Sequence, residues 1–315
     1  MEKSRNKTID ILRGISALSV ILGHAIQRGL IVDYDSNIIF KLIYTFHMPL
    51  FVFLSGYTLF ISKPKFDYDF IKKKFKRLII PTIIWSYLIY FFKDFGFVGI
   101  KPFVKFKNGF IEYSKNLILH PDFLIWFLYI VFICTLIIYI GKRYFHKNFI
   151  LYMIIINVLT QMIKHEELFG INRLKLHLPI FTIGYFVAIY RENIVKYLHY
   201  ILVPAIIYYI FKANAWSFTL SRLYQWSIAF SAIIILYFFV KEVIYKNNLC
   251  IKIFSFLGKY SLELYLCQSL CLNIGIGQGI LRVITIFMSA ICISIIVAYI
   301  TKKYSFTNKI LYGRF

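Results

Sequence analysis

Ten runs of about 17–25 predominantly apolar residues, the length an α-helix needs to cross a bilayer, occupy most of this 315-residue chain. They fall at roughly 9–27, 38–61, 78–98, 123–141, 148–164, 174–190, 196–212, 222–245, 253–275 and 280–301. The composition agrees. Hydrophobic residues make up 60% of the chain and the mean hydropathy is +0.70, whereas soluble domains are about 45–50% apolar. The expected fold is all-α, a polytopic transmembrane helical bundle of about ten spans. No linker, low-complexity stretch or internal repeat divides it, so residues 1–315 read as a single integral-membrane domain. With no soluble domain expected at either end, chemistry must come from intramembrane and loop residues. The first span has Lys3, Arg5 and Lys7 in front but is interrupted by ionisable groups, so it reads as a retained span rather than a cleaved signal peptide.

The formal charge of +23, from 37 Lys and Arg against 14 Asp and Glu, is that of a positive-inside membrane protein. Cationic loops set topology and meet anionic headgroups, so membrane lipids, not nucleic acid, are the expected partners. An inside N-terminus puts most cations on one side. They include the 63–77 segment, Lys142, Arg143, Lys147, Lys241, Lys246, Lys252 and the C-terminal Lys302, Lys303, Lys309 and Arg314. Both termini are therefore expected in the cytosol. The 93–122 loop, with Lys101, Lys105, Lys107 and Lys115, falls on the other side and fits a segment lying along the membrane surface. Asp122 there is a candidate cap for the fourth span. The five cysteines form no metal-ligand spacing and read as packing residues, and no metal site is expected.

Ionisable groups inside spans cost about 2.5–3.5 kcal/mol each at the helix centre, even on a lenient scale. The first span carries three: Asp10, Arg13 and His24. Arg13 and His24 are eleven residues apart, which is three turns with ~20° of drift and roughly 16 Å along the axis. Such a face must point at protein or a water-filled cavity. In the second span, His47 precedes Pro49, which kinks a helix. His47 is either a second proton-transfer group or a polar cap. Ser55-Gly56 lets a helix or ligand approach closely. The Lys72–Arg77 cluster is either an anchor for the third span or a phosphate site. Glu263, four residues after Lys259, reads as half of an i,i+4 ion pair.

Three motifs together resemble one family. Asp10-x-Leu12-Arg13-Gly14 followed by His24, then Phe46-His47-Met48-Pro49-Leu50-Phe51 with Ser55-Gly56, resembles the integral-membrane acyltransferase 3 family, most of all its fucose-4-O-acetylase-like branch. Gly258-Lys259-Tyr260-Ser261 and Tyr265-Leu266 are similar to that family's final helix. Two positions depart from the pattern. The family's Arg-x-x-Arg before the third span is here Lys74-x-x-Arg77, which keeps charge but loses one bidentate fork. The family's late His is replaced by Cys267-Gln268, and Gln268 is neither acid nor base.

The resemblance implies transfer of an acyl group, usually acetyl, from cytosolic acetyl-CoA to a carbohydrate hydroxyl, in a bacterial inner or plasma membrane. It implies an acetyl-CoA donor, a carbohydrate acceptor and no permanently bound cofactor. It makes His24 and Asp10 the catalytic candidates and Arg13, Lys74, Arg77 and Ser55 the acyl-CoA contacts, with His47 for substrate or proton transfer. An imidazole of ordinary pKa about 6.5 is a base at neutral pH. It serves either by taking the hydroxyl proton or by being acetylated first. The alternative reading is a transporter or flippase of glycan or lipid-linked precursors, using the same intramembrane charges as a path.

Overall fold

The structure is a computed structural model that describes residues 6–30, 33–92, 109–120, 125–164, 168–217 and 219–314. Its helices are α1 Lys7–Gly29, α2 Ile38–Ile61, α3 Tyr68–Phe92, α4 Gly109–Leu119, α5 Trp126–Tyr144, α6 Phe149–Met162, α7 Ile171–Ile189, α8 Arg191–Lys212, α9 Arg222–Glu242, α10 Asn248–Lys259, α11 Ser261–Cys267, α12 Gly279–Lys303 and α13 Ser305–Tyr312. Among the described residues there is no strand, so the all-α expectation holds. Lys101, Lys105, Lys107 and Asp122 lie outside the described residues.

Among the described residues, seven helices are long and apolar enough to cross a membrane: α1, α2, α3, α5, α8, α9 and α12. The other three expected windows are helical but differ in kind. Window 148–164 is the 14-residue α6, and window 174–190 lies in α7, whose first turns carry Arg173, Lys175 and His177. Window 253–275 is a broken helix. Tyr260 leaves helical geometry (φ −103°, ψ 12°), α11 follows for seven residues, and a single 3-10 turn spans Gln268–Leu270. Broken backbone at membrane depth survives where protein buries it or where it lines a cavity.

The chain forms two compact units, residues 1–54 with 190–299, and residues 55–189 with 300–315. In the first, α1 is the enclosed element. Of its apolar window 72% is buried, against 6% for α8, whose sides are left for lipid. The enclosure follows from small residues. A Cβ on Gly14 would overlap the Phe254 carbonyl oxygen and one on Gly258 the Asp10 carbonyl oxygen, so α1 and α10 meet backbone to backbone. Asn6 caps α1 by accepting from Ile9 N–H at 3.3 Å, and Asn247 caps α10 by accepting from Leu249 and Cys250.

In the second unit α3 packs on α5 and α13, and α7 on α5 and α6. The approach expected at Ser55-Gly56 is made by a helix: a Cβ on Gly56 would overlap the Phe181 carbonyl oxygen of α7. Asp67 caps α3, accepting from Phe70 N–H at 2.8 Å. Tyr113 of α4 donates to the Ser86 carbonyl at 2.6 Å and so ties that short helix to α3.

Candidate functional site

The first unit builds its polar site along α1. Asp10 is buried, and Arg13 and His24 are half-buried. His24 makes a contact that spacing alone did not reveal: its Nδ1 lies 3.0 Å from Oε1 of Gln27, one turn on. An amide oxygen only accepts, so the ring nitrogen donates. The neutral imidazole then carries its proton on Nδ1 and keeps the Nε2 lone pair as acceptor. Gln27 at i+3 of a histidine is a signal a sequence reader can look for, but many exposed residues share that spacing.

His47 reaches the same level of the unit. A Cβ on Gly23, the residue before His24, would stand 3.0 Å from the Tyr44 ring, so α2 crosses α1 there. The Tyr44 ring in turn meets His47 edge-on at 4.5 Å. His47 is buried, and its Nδ1–H donates to the Ile43 carbonyl at 2.8 Å. Around Tyr44 gather Phe40 at 3.9 Å and Trp216 at 5.4 Å, and Tyr34 lies 5.2 Å from Phe40. This aromatic group was missed because Trp216 is 172 residues away from Tyr44 in the chain.

Both parts of the broken helix pack on α1. Tyr245 OH is 2.9 Å from Thr8 Oγ1, Gly258 lies on Asp10, and Val283 lies on Gly29. The segment α11 joins the last two of these points and packs on α1. It carries Glu263, which is wholly buried while Lys259 is exposed. The i,i+4 pair expected with Lys259 does not account for that burial, since Lys259 itself is exposed. Two neutral groups nearby remain open: Ser16 Oγ and Gln268 Oε1 are buried with no hydrogen-bond partner among the described residues. Buried polar atoms of this kind are where a water or polar ligand completes the bonding.

The other predicted residues belong to the second unit. Lys74 is half-buried with its ammonium 5.5 Å from the Phe70 ring centre, Arg77 is exposed, and Ser55 is half-buried on the last turns of α2. The structure thus groups Asp10, Arg13, His24 and His47 in one unit and Ser55, Lys74 and Arg77 in the other.

Comparison with known proteins bears on what such a chain is. Residues 6–303 match the family model described as an acyltransferase domain, acyltransferase 3. Two curated relatives are both called nodulation protein NolL. The one from Sinorhizobium fredii is 32% identical over 123 residues, covering 36% of this chain and 32% of that protein. The one from Mesorhizobium japonicum is 29% identical over 140 residues, covering 43% and 35%. The chain thus spans about a third of the length of these relatives. No solved structure matches. With the family match extending over nearly every described helix, the chain belongs to the acyltransferase 3 family.

Proposed function

We propose that this protein is a membrane O-acetyltransferase, moving acetyl from acetyl-CoA to a hydroxyl of a cell-surface or exported polysaccharide or its lipid-linked precursor. The observation that carries this reading is His24, half-buried on the most enclosed span and bonded through Nδ1 to Gln27, with Arg13 three turns earlier on the same face. The acceptor hydroxyl oxygen attacks the thioester carbonyl carbon as its proton passes to His24 Nε2. The tetrahedral intermediate collapses, the C–S bond breaks, and the imidazolium returns the proton to the leaving thiolate. Asp10 orients the charge of Arg13. Arg13 meets a donor phosphate in the first unit; in the second, Lys74 and Arg77 are cations of the kind that bind phosphate and Ser55 a hydroxyl of the kind that bonds an acyl oxygen. The half-buried rings of Tyr44 and Trp216, backed by the buried Phe40, support a sugar acceptor, whose C–H faces pack on ring faces. The bacterial sources of the relatives support a place in a bacterial inner or plasma membrane.

The test is transfer from labelled acetyl-CoA by the purified protein. His24→Ala is expected to lose about 10²–10⁴-fold in rate, the usual worth of a positioned general base. Wild-type rates in that variant would remove His24 from the mechanism. Glycan movement with no acetyl-CoA requirement would replace the enzyme reading with a transporter.

A further inference from the structure

Two cations of the first unit, Arg28 and Lys41, have no part in the site as described so far. The helices that carry them, α1 and α2, meet through side chains rather than backbone to backbone. A Cβ on Gly23 would stand 3.0 Å from the Tyr44 ring and 3.4 Å from the Ile43 side chain. Past that crossing, toward the connection at 30–37, each helix presents one cation. Arg28 lies one turn after His24 on the same face, within electrostatic reach of its ring. Lys41 lies one turn before Tyr44. Both are half-buried, and among the described residues neither side chain makes a hydrogen bond or an ion pair. Asp33 and Asp35 of the same connection are exposed and pair with neither cation. Gln27 does not serve Arg28 either, since its oxygen accepts from His24.

We infer that Arg28 and Lys41 bind an anionic group of the acceptor glycan, a sugar carboxylate or phosphate, which makes the acceptor an acidic glycan. This rests on the O-acetyltransferase reading above and names its substrate class. Position decides which substrate the cations serve. Arg13 stands three turns before His24, on the side proposed for the donor. Arg28 and Lys41 stand past the crossing, where Tyr44, 5.4 Å from Trp216, offers rings to a sugar. Chemistry decides the charge. A half-buried cation has given up part of its hydration, and an anion is the partner that best replaces it. The guanidinium fork suits carboxylate and phosphate alike, and the ammonium adds a second, compact charge. Lipid headgroups offer phosphate at the same span ends, but half-burial beside the base assigns the pair to the glycan.

The experiment is transfer from labelled acetyl-CoA by the full-length protein in phosphatidylglycerol nanodiscs to the surface polysaccharide of its host cell, cleared of its own acetyl groups by mild base. The polysaccharide is offered intact, with its uronic acids reduced to neutral sugars, and with its phosphates removed by hydrofluoric acid. Wild type should lose about tenfold in kcat/KM on one of the two discharged forms, which tells carboxylate from phosphate. Arg28→Ala and Lys41→Ala should each raise the KM for the intact polysaccharide about tenfold and abolish most of that discrimination. Their kcat and acetyl-CoA KM should stay within about twofold of wild type, as should every constant of Lys212→Ala, which removes an exposed cation of α8. If Arg28→Ala fails to fold, Arg28→Lys, which keeps the charge without the fork, carries the test with the wild-type discrimination. A wild type that acetylates all three forms equally overturns the acidic acceptor and leaves the acetyltransferase reading standing. Full discrimination in Arg28→Ala, or a loss confined to kcat, overturns it as well. Loss of bound phosphatidylglycerol in native mass spectrometry with discrimination intact also overturns it, assigning the cations to lipid. A wild type that transfers acetyl to none of the three forms overturns both readings.

Discussion

At the scale of single residues, the tautomer of His24 is the property on which the proposed chemistry turns. Gln27 accepts from Nδ1–H, so Nε2 is the basic nitrogen. Gln27→Leu is expected to lower kcat about fivefold, the loss of one neutral hydrogen bond of about 1 kcal/mol, with KM for acetyl-CoA unchanged. Gln27→Glu, which still accepts from Nδ1–H, should recover kcat and raise the apparent pKa of the acidic limb of the rate profile. Steady-state kinetics against pH separate the two variants, and equal effects of both would make Gln27 a packing residue only. Trp216→Ala tests the aromatic group. It should raise KM for the acceptor severalfold, since aromatic contacts are worth about 0.5–1.5 kcal/mol, with donor KM unmoved.

At the scale of helices, two close approaches hold the polar residues in place. The α1–α10 contact through Gly14 and Gly258 has no volume to spare. Gly258→Leu should therefore cost more than the ~1–3 kcal/mol usual for an overpacked core, seen as lost expression or a lowered thermal midpoint in detergent. A tolerated leucine would mean that α10 does not seat on α1 as described. The α3–α13 contact is looser to test. Trp85→Phe keeps a ring but removes the indole bond to Leu311, for about 1 kcal/mol.

For the whole molecule, the prediction concerns sidedness. The cation bias predicts both termini in the cytosol, and on that topology single cysteines placed at Lys309 and Asp33, in a background without the native five, should label from opposite sides in intact cells. Labelling of both from one side would reverse or break the topology derived from cation bias. The family match runs from residue 6 to residue 303.

The chain's order of residues was enough to establish the class of fold, because hydropathy over ~20 residues is a local property that lipid selects directly. It also sufficed to single out the Asp10, Arg13 and His24 face, because helical periodicity places residues without reference to any neighbour. Tertiary structure decided the rest. The stretch read as one span is two helices, α10 and α11, that pack on α1 and carry the wholly buried Glu263, and hydropathy does not register such a break. The partners of His47 and Tyr44 and the seat of Gly56 on Phe181 join residues far apart in sequence. Only packing sets such distances, so no spacing rule announces them.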